Sequence, residues 1–207
     1  MKRITAGLFA AFLAWAQPAL AAKERVLSFD SVIRVGLDGG VTVTEIVTVV
    51  ALGMKIKRGL IRELPLSADG VEVLEVLKNG EPEPWFTKMG PRSIRIYMGQ
   101  EDVFLEHGEY TYSLTYREGD QIHSFPDHDE LYWNVTGDGW GFAIERVSAT
   151  VILPRGATIL DREAYIGFTG EWEDLWTSHE DSRGNTVFRT TGALAARQGL
   201  TIAVSWR

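Results

Sequence analysis

Val26-Leu27-Ser28-Phe29-Asp30-Ser31-Val32-Ile33-Arg34-Val35 is followed by a break at Asp38-Gly39-Gly40 and then by Val41-Thr42-Val43-Thr44-Glu45-Ile46-Val47-Thr48-Val49. Both arms are rich in β-branched residues, and Asp-Gly between such arms is a hairpin turn signal. In the second arm Val41, Val43, Glu45, Val47 and Val49 alternate with Thr42, Thr44, Ile46 and Thr48. Successive side chains of a strand point to opposite faces, so one face of this arm is apolar apart from Glu45. A carboxylate there needs a partner, and Arg58 or Arg62 is the expected one.

Outward from this hairpin the same texture continues. Further strands are expected at Val71 to Lys78, Ser93 to Met98, Glu109 to Tyr116, Glu130 to Thr136, Phe142 to Leu153, Thr186 to Thr190 and Leu200 to Trp206. Tyr110, Tyr112, Leu114 and Tyr116 share one face against Thr111, Ser113 and Thr115, the pattern of a half-buried antiparallel strand. No segment carries the period of a long amphipathic helix. The expected fold is all-β, a single antiparallel β-sandwich of immunoglobulin-like or related type, over residues 22–207. A signal-peptide helix over residues 1–21 precedes it.

That leader rests on Lys2 and Arg3, the apolar run Ile4 to Ala16, and Ala19-Leu20-Ala21 as a small-x-small cleavage pattern. The run is shorter than the roughly 20 residues that span a bilayer. Its removal takes two positive charges and no acidic ones, moving the formal net charge from −7 to −9. The acidity argues against a nucleic-acid partner. With no cysteine in the chain, disulfides, thiol nucleophiles and thiolate metal sites drop out, and an exported domain must rely on its core.

Three stretches carry a family likeness: Asp38 to Glu45, Ile56-Lys57-Arg58-Gly59-Leu60-Ile61-Arg62-Glu63-Leu64-Pro65, and Asp127-His128-Asp129-Glu130-Leu131-Tyr132-Trp133-Asn134-Val135-Thr136-Gly137 running on to Trp140. Together they resemble the N-terminal extracytoplasmic domain of the predicted bacterial membrane proteins called domain of unknown function 2207. The resemblance runs from about Leu27 to the end. It implies a position at the periplasmic or extracytoplasmic face of the cytoplasmic membrane, a transmembrane segment following Arg207 in a longer chain, and an envelope or membrane partner. It supplies no reaction and no catalytic residues.

The densest polar cluster is His123-Ser124-Phe125-Pro126-Asp127-His128-Asp129-Glu130. On an extended backbone Asp127 and Asp129 share a face at roughly 6 to 7 Å, a spacing that suits acid and base work on a glycosidic bond. The competing reading is a solvated loop in which Asp129 or Glu130 pairs with Arg58 or Arg62. His123 and His128 fit no metal signature with these aspartates, so neither a metal nor a cofactor is expected. Tyr132, Trp133, Trp140 and Phe142, with Trp85, Trp172 and Trp176 elsewhere, form either a sugar-stacking platform or core. Because Tyr132 and Trp133 are adjacent, at most one of them belongs to the main core. Lys55, Lys57, Arg58 and Arg62 read as a basic patch for anionic lipid or a partner, or as a salt-bridged turn.

The functional expectation is a non-catalytic interaction or assembly module of an envelope protein, its binding candidates being His123, His128, Tyr132, Trp133, Trp140, Arg58 and Arg62. The alternatives are a carbohydrate-active or metal-assisted envelope hydrolase using Asp127, Asp129 and Glu130, and a sugar-binding module.

Overall fold

The computed structural model describes residues 23–67, 70–168 and 173–207; the expected leader and Trp172 lie outside them. Fifteen strands follow in order: β1 (Arg25–Val35), β2 (Val41–Ala51), β3 (Gly59–Pro65), β4 (Val71–Lys78), β5 (Glu81–Pro82), β6 (Trp85–Met89), β7 (Ser93–Gly99), β8 (Gly108–Glu118), β9 (Ile122–Ser124), β10 (Asp129–Asn134), β11 (Val147–Ile152), β12 (Ile159–Gly167), β13 (Trp176–Glu180), β14 (Thr186–Thr190) and β15 (Gly199–Trp206). The fold is all-β.

The strands form three sheets, ordered β13-β14-β11-β1-β2-β8-β4-β5, β12-β15-β10-β9 and β3-β7-β6. Among the described strands every pairing is antiparallel except β1 with β11, which run parallel from Phe29↔Val147 to Arg34↔Ile152. A purely antiparallel arrangement is therefore corrected at one seam. The crossing from β1 to β11 is long enough to carry the chain through the other two sheets before it returns.

The β1–β2 hairpin forms as its sequence demands. Gly36 N–H donates to the Gly40 carbonyl at 2.8 Å, and Gly39 takes φ 77°, a conformation glycine adopts without a Cβ penalty. Along β2 the alternation is real: Val41, Val43, Glu45, Val47 and Val49 are buried. On the opposite face the threonines pair across to β8, Thr44 with Thr115 at 3.1 Å and Thr48 with Thr111 at 3.0 Å. Such cross-strand hydroxyl pairs hold register on a face that has no core to do it.

One continuous core joins the sheets. It takes Phe29 and Ile33 from β1, Tyr112, Leu114 and Tyr116 from β8, Ile94 and Ile96 from β7, and Leu131, Trp133, Ile202 and Val204 from the β10–β15 pair. Two expected strands are shorter than read: Phe142 to Arg146 precede β11 as irregular chain, and β10 stops at Asn134. The stretch Gly59–Pro65, read as a possible salt-bridged turn, is a strand.

Arg25 and Trp206 lie far apart along the hairpin. Arg25 pairs with Val50, and the Glu24 carboxylate accepts backbone N–H groups of Leu52, Met54, Lys55 and Ile56. Those donors hold the carboxyl below its usual range although burial pushes it up. Trp206 and Arg207 instead border the cleft beside Val35 to Gly39, at the other end of β1. Eleven residues of strand separate the two, about 33 Å. Both β1 and β15 lie inside their sheets, each with a neighbour on either side.

Candidate functional site

Three places concentrate polar chemistry. The first is buried. Glu45 on β2 receives Arg62 from β3 in a two-pronged pair, Nε to Oε2 at 2.7 Å and Nη2 to Oε1 at 2.8 Å. Tyr116 donates its hydroxyl to the same carboxylate at 3.1 Å. The remaining guanidinium hydrogens reach the carbonyls of Thr136 at 2.9 Å, Glu63 at 3.1 Å and Val135 at 3.2 Å, while Trp140 Nε1 donates to Thr136 O at 2.8 Å. Phe29 lies under the guanidinium, 5.6 Å from ring centre to Cζ.

Arg62 is thus in the core, not on a surface patch, and the partner expected for Glu45 is Arg62 rather than Arg58. Burial would push the guanidinium pKa down, but the charge and hydrogen bonds of Glu45 outweigh it and raise it instead. Burial, with the Glu45 charge adding, drives the Tyr116 hydroxyl well above its usual value, so it stays a donor. The cluster ties β2, β8, β3 and the turn after β10 to one point.

Glu118, at the end of β8, is buried close by. Burial pushes its carboxyl up to about 7, opposed by Ser67 and Arg62 and assisted by Glu45. A carboxyl raised in the folded chain keeps a proton that the unfolded chain has lost. Its contribution to stability is complete below the ordinary carboxylate range and declines as pH rises through about 7. Urea unfolding over this range is expected to show that decline, and Glu118→Gln to flatten it; an unchanged pH profile in the variant removes the assignment.

The second place is the acidic hairpin. β9 pairs with β10 through Asp129↔Ser124 and Glu130↔His123. Asp127 sits in the turn before β10, so the two aspartates are not carried together on one strand face. Asp127 holds the His128 ring at 2.8 Å, and that hydrogen bond lowers its pKa; Arg207 Nε donates to the Asp127 carbonyl at 2.8 Å. His128 stacks on Phe125 with centroids 4.6 Å apart. Neither Asp129 nor Glu130 pairs with Arg58 or Arg62. Asp129 faces a cleft of about 580 Å³ shared with Asp38, Asp120, Arg155 and Trp206. Among the described residues no group of histidine and acidic side chains is arranged to hold a metal ion.

On β10 the adjacent aromatics separate as expected. Trp133 is in the core and Tyr132 half exposed, tilted against Tyr165 at 6.4 Å. Trp140 is also buried, edge-on to Phe29 at 5.8 Å, so neither tryptophan belongs to a surface platform.

The third place is a hollow of about 500 Å³ on the outer side of the β3-β7-β6 sheet, which residue patterns did not single out as a whole. Strand pairing sets Ile61, Tyr97 and Phe86 in one row and Glu63, Arg95 and Lys88 in the next. Phe86 and Tyr97 stack at 4.7 Å with Lys88 above both rings, at 5.2 and 5.0 Å. Lys55, Lys57 and Arg58 line the other side. Stacked on each other, the two rings make no coplanar platform for a sugar.

Comparison with known proteins places this architecture. The native structure of yeast LTA4 hydrolase superposes with a TM-score of 0.57 at 13% identity, covering 88% of this chain and 29% of that one. The same yeast enzyme in complex with bestatin gives 0.56 at 13% identity, covering 87% and 28%. At that identity the likeness is one of fold. The uncharacterized protein YciQ of Escherichia coli K12 is 30% identical over 154 residues, 68% of this chain and 24% of YciQ, so the chain spans about a quarter of that relative. Residues 25–206 match the family described as the N-terminal domain of predicted membrane proteins, DUF2207, and the chain belongs to that family.

Proposed function

We propose that this domain is a non-catalytic interaction module, exported and displayed outside the cytoplasmic membrane by a membrane-tethered envelope protein. The observation that carries the reading is the contrast between its two surface sites. The acidic hairpin, where a reaction would be sought, has Asp127 engaged in the turn by His128 and Arg207, while Asp129 and Glu130, consecutive on β10, point to opposite faces. The hollow on the three-stranded sheet is lined by cations and aromatic rings, a surface for binding. Membership of a predicted membrane protein family and the leader-like start of the chain support the location.

Topology tests it directly. In cells expressing the full native reading frame with a tag after its last residue, the product is expected in the membrane fraction, with this domain digested by protease added from outside the cytoplasmic membrane. A domain protected from that protease, or recovered free of membranes, overturns the tethered orientation.

A further inference from the structure

The hollow beside Lys55 carries an excess of positive charge. The whole chain has a formal net charge of −7, yet this hollow is lined by Lys55, Lys57, Arg58 and Lys88 against a single carboxylate, Glu101, which Lys88 engages at 3.2 Å. Among the described residues, Lys55, Lys57 and Arg58 form no ion pair. They lean instead on rings: Lys55 on Phe142 at 5.3 Å and Arg58 on Phe104 at 4.4 Å.

Around these cations stand large apolar side chains left in water. Met54 is 69% exposed, Phe104 62% and Ile61 53%. Isolated apolar residues on a surface need no account, but a group of them interleaved with unpaired cations is the pattern of an interfacial contact. The apolar tips lower their free energy by leaving water, and the cations select a negatively charged surface while their stems pack among the rings.

We infer that this face docks on an anionic phospholipid surface, with Met54, Phe104 and Ile61 entering the headgroup boundary and the hollow receiving a phosphate-bearing headgroup. Charge favours that occupant. The acidic remainder of the domain is repelled by an anionic membrane, so approach is steered to this one basic face. The inference rests on the reading that the domain is displayed beside a membrane.

Co-sedimentation of the full chain, as purified from an expressing bacterium, with phosphatidylglycerol–phosphatidylcholine vesicles tests it. The chain is expected to pellet with these vesicles, to be released by high salt, and to stay in solution with phosphatidylcholine alone. Replacing Lys55, Lys57 and Arg58 together by glutamine should weaken binding about a hundredfold, since each cation near such a surface contributes about fivefold. Met54→Ser with Phe104→Ser should weaken it as well, with thermal unfolding confirming that both variants fold. Absence of pelleting, or equal pelleting by the glutamine variant, overturns the inference. So does capture by dextran sulfate without vesicle binding, which would assign the face to a soluble polyanion. Export and tethering are read separately by fractionation, so a chain retained in the cytosol that still binds anionic vesicles loses the location and keeps the docking face.

Discussion

Glu45→Ala is expected to lower the unfolding free energy by about 3–5 kcal/mol, the largest effect of any single polar replacement in this chain. The reason is what it leaves behind. Arg62 is 6% exposed, and without Glu45 its guanidinium keeps only carbonyl partners and the face of Phe29. A buried charge stripped of its counter-charge loses the attraction that offset its desolvation. The double replacement Glu45→Leu with Arg62→Met removes both charges at once, and it should recover most of the loss. Denaturant unfolding of the two singles and the double separates the cases. A Glu45→Ala chain within about 1 kcal/mol of the parent would show that water reaches the pair after all.

The second large effect is expected at Gly99→Ala, through steric contact rather than charge. Gly59 and Gly99 face each other where β3 and β7 begin to pair, with φ of 132° and 139°. A Cβ at Gly99 would stand 2.0 Å from the Arg58 carbonyl oxygen, and one at Gly59 1.8 Å from that of Met98. Neither obstacle is a side chain that can turn aside, so the strands themselves must separate. Overpacking and the unfavourable backbone conformation together make a loss of about 3 kcal/mol or more. Gly80→Ala is the control: φ is 85° but no atom stands within 4 Å of its Cβ, and only the conformational cost of about 1 kcal/mol should appear in urea unfolding. Equal losses at the two positions would refute the close-contact account.

Where the alternation of side chains was clean, the chain could be read without its structure. The hairpin at Asp38-Gly39, the inward set of β2 and the tyrosine face of β8 all follow from period two, and the isolated Glu45 announced a buried arginine. The failures have physical causes of their own. β3 hides its pattern because the middle member of its inward set, Leu60, Arg62 and Leu64, is charged. β6, at a sheet edge, is wetted on both faces, so Trp85-Phe86-Thr87-Lys88-Met89 has no polar side to alternate with. In β12 a register shift between Ile159 and Asp161 breaks the period where it begins. The edge strand β13 is too polar to advertise burial.

The same limit applies to function. The acidic hairpin drew notice because its charges are consecutive. The basic hollow assembles Lys55, Lys57 and Arg58 with Phe86, Lys88 and Tyr97, residues that become neighbours only when β3, β7 and β6 pair. Trp133 could be told from Tyr132 only by register, because Leu131 and Trp133 face Val204 and Ile202 of β15.

The placement of the first and last strands has a mechanical meaning. A tension drawn between Arg25 and Trp206 meets β1 held by β2 and β11, and β15 held by β10 and β12. Neither strand can be unzipped from a free edge one hydrogen bond at a time; each must slide against two neighbours. A pull between these two strands is met as shear, and the domain resists it as a stiff link.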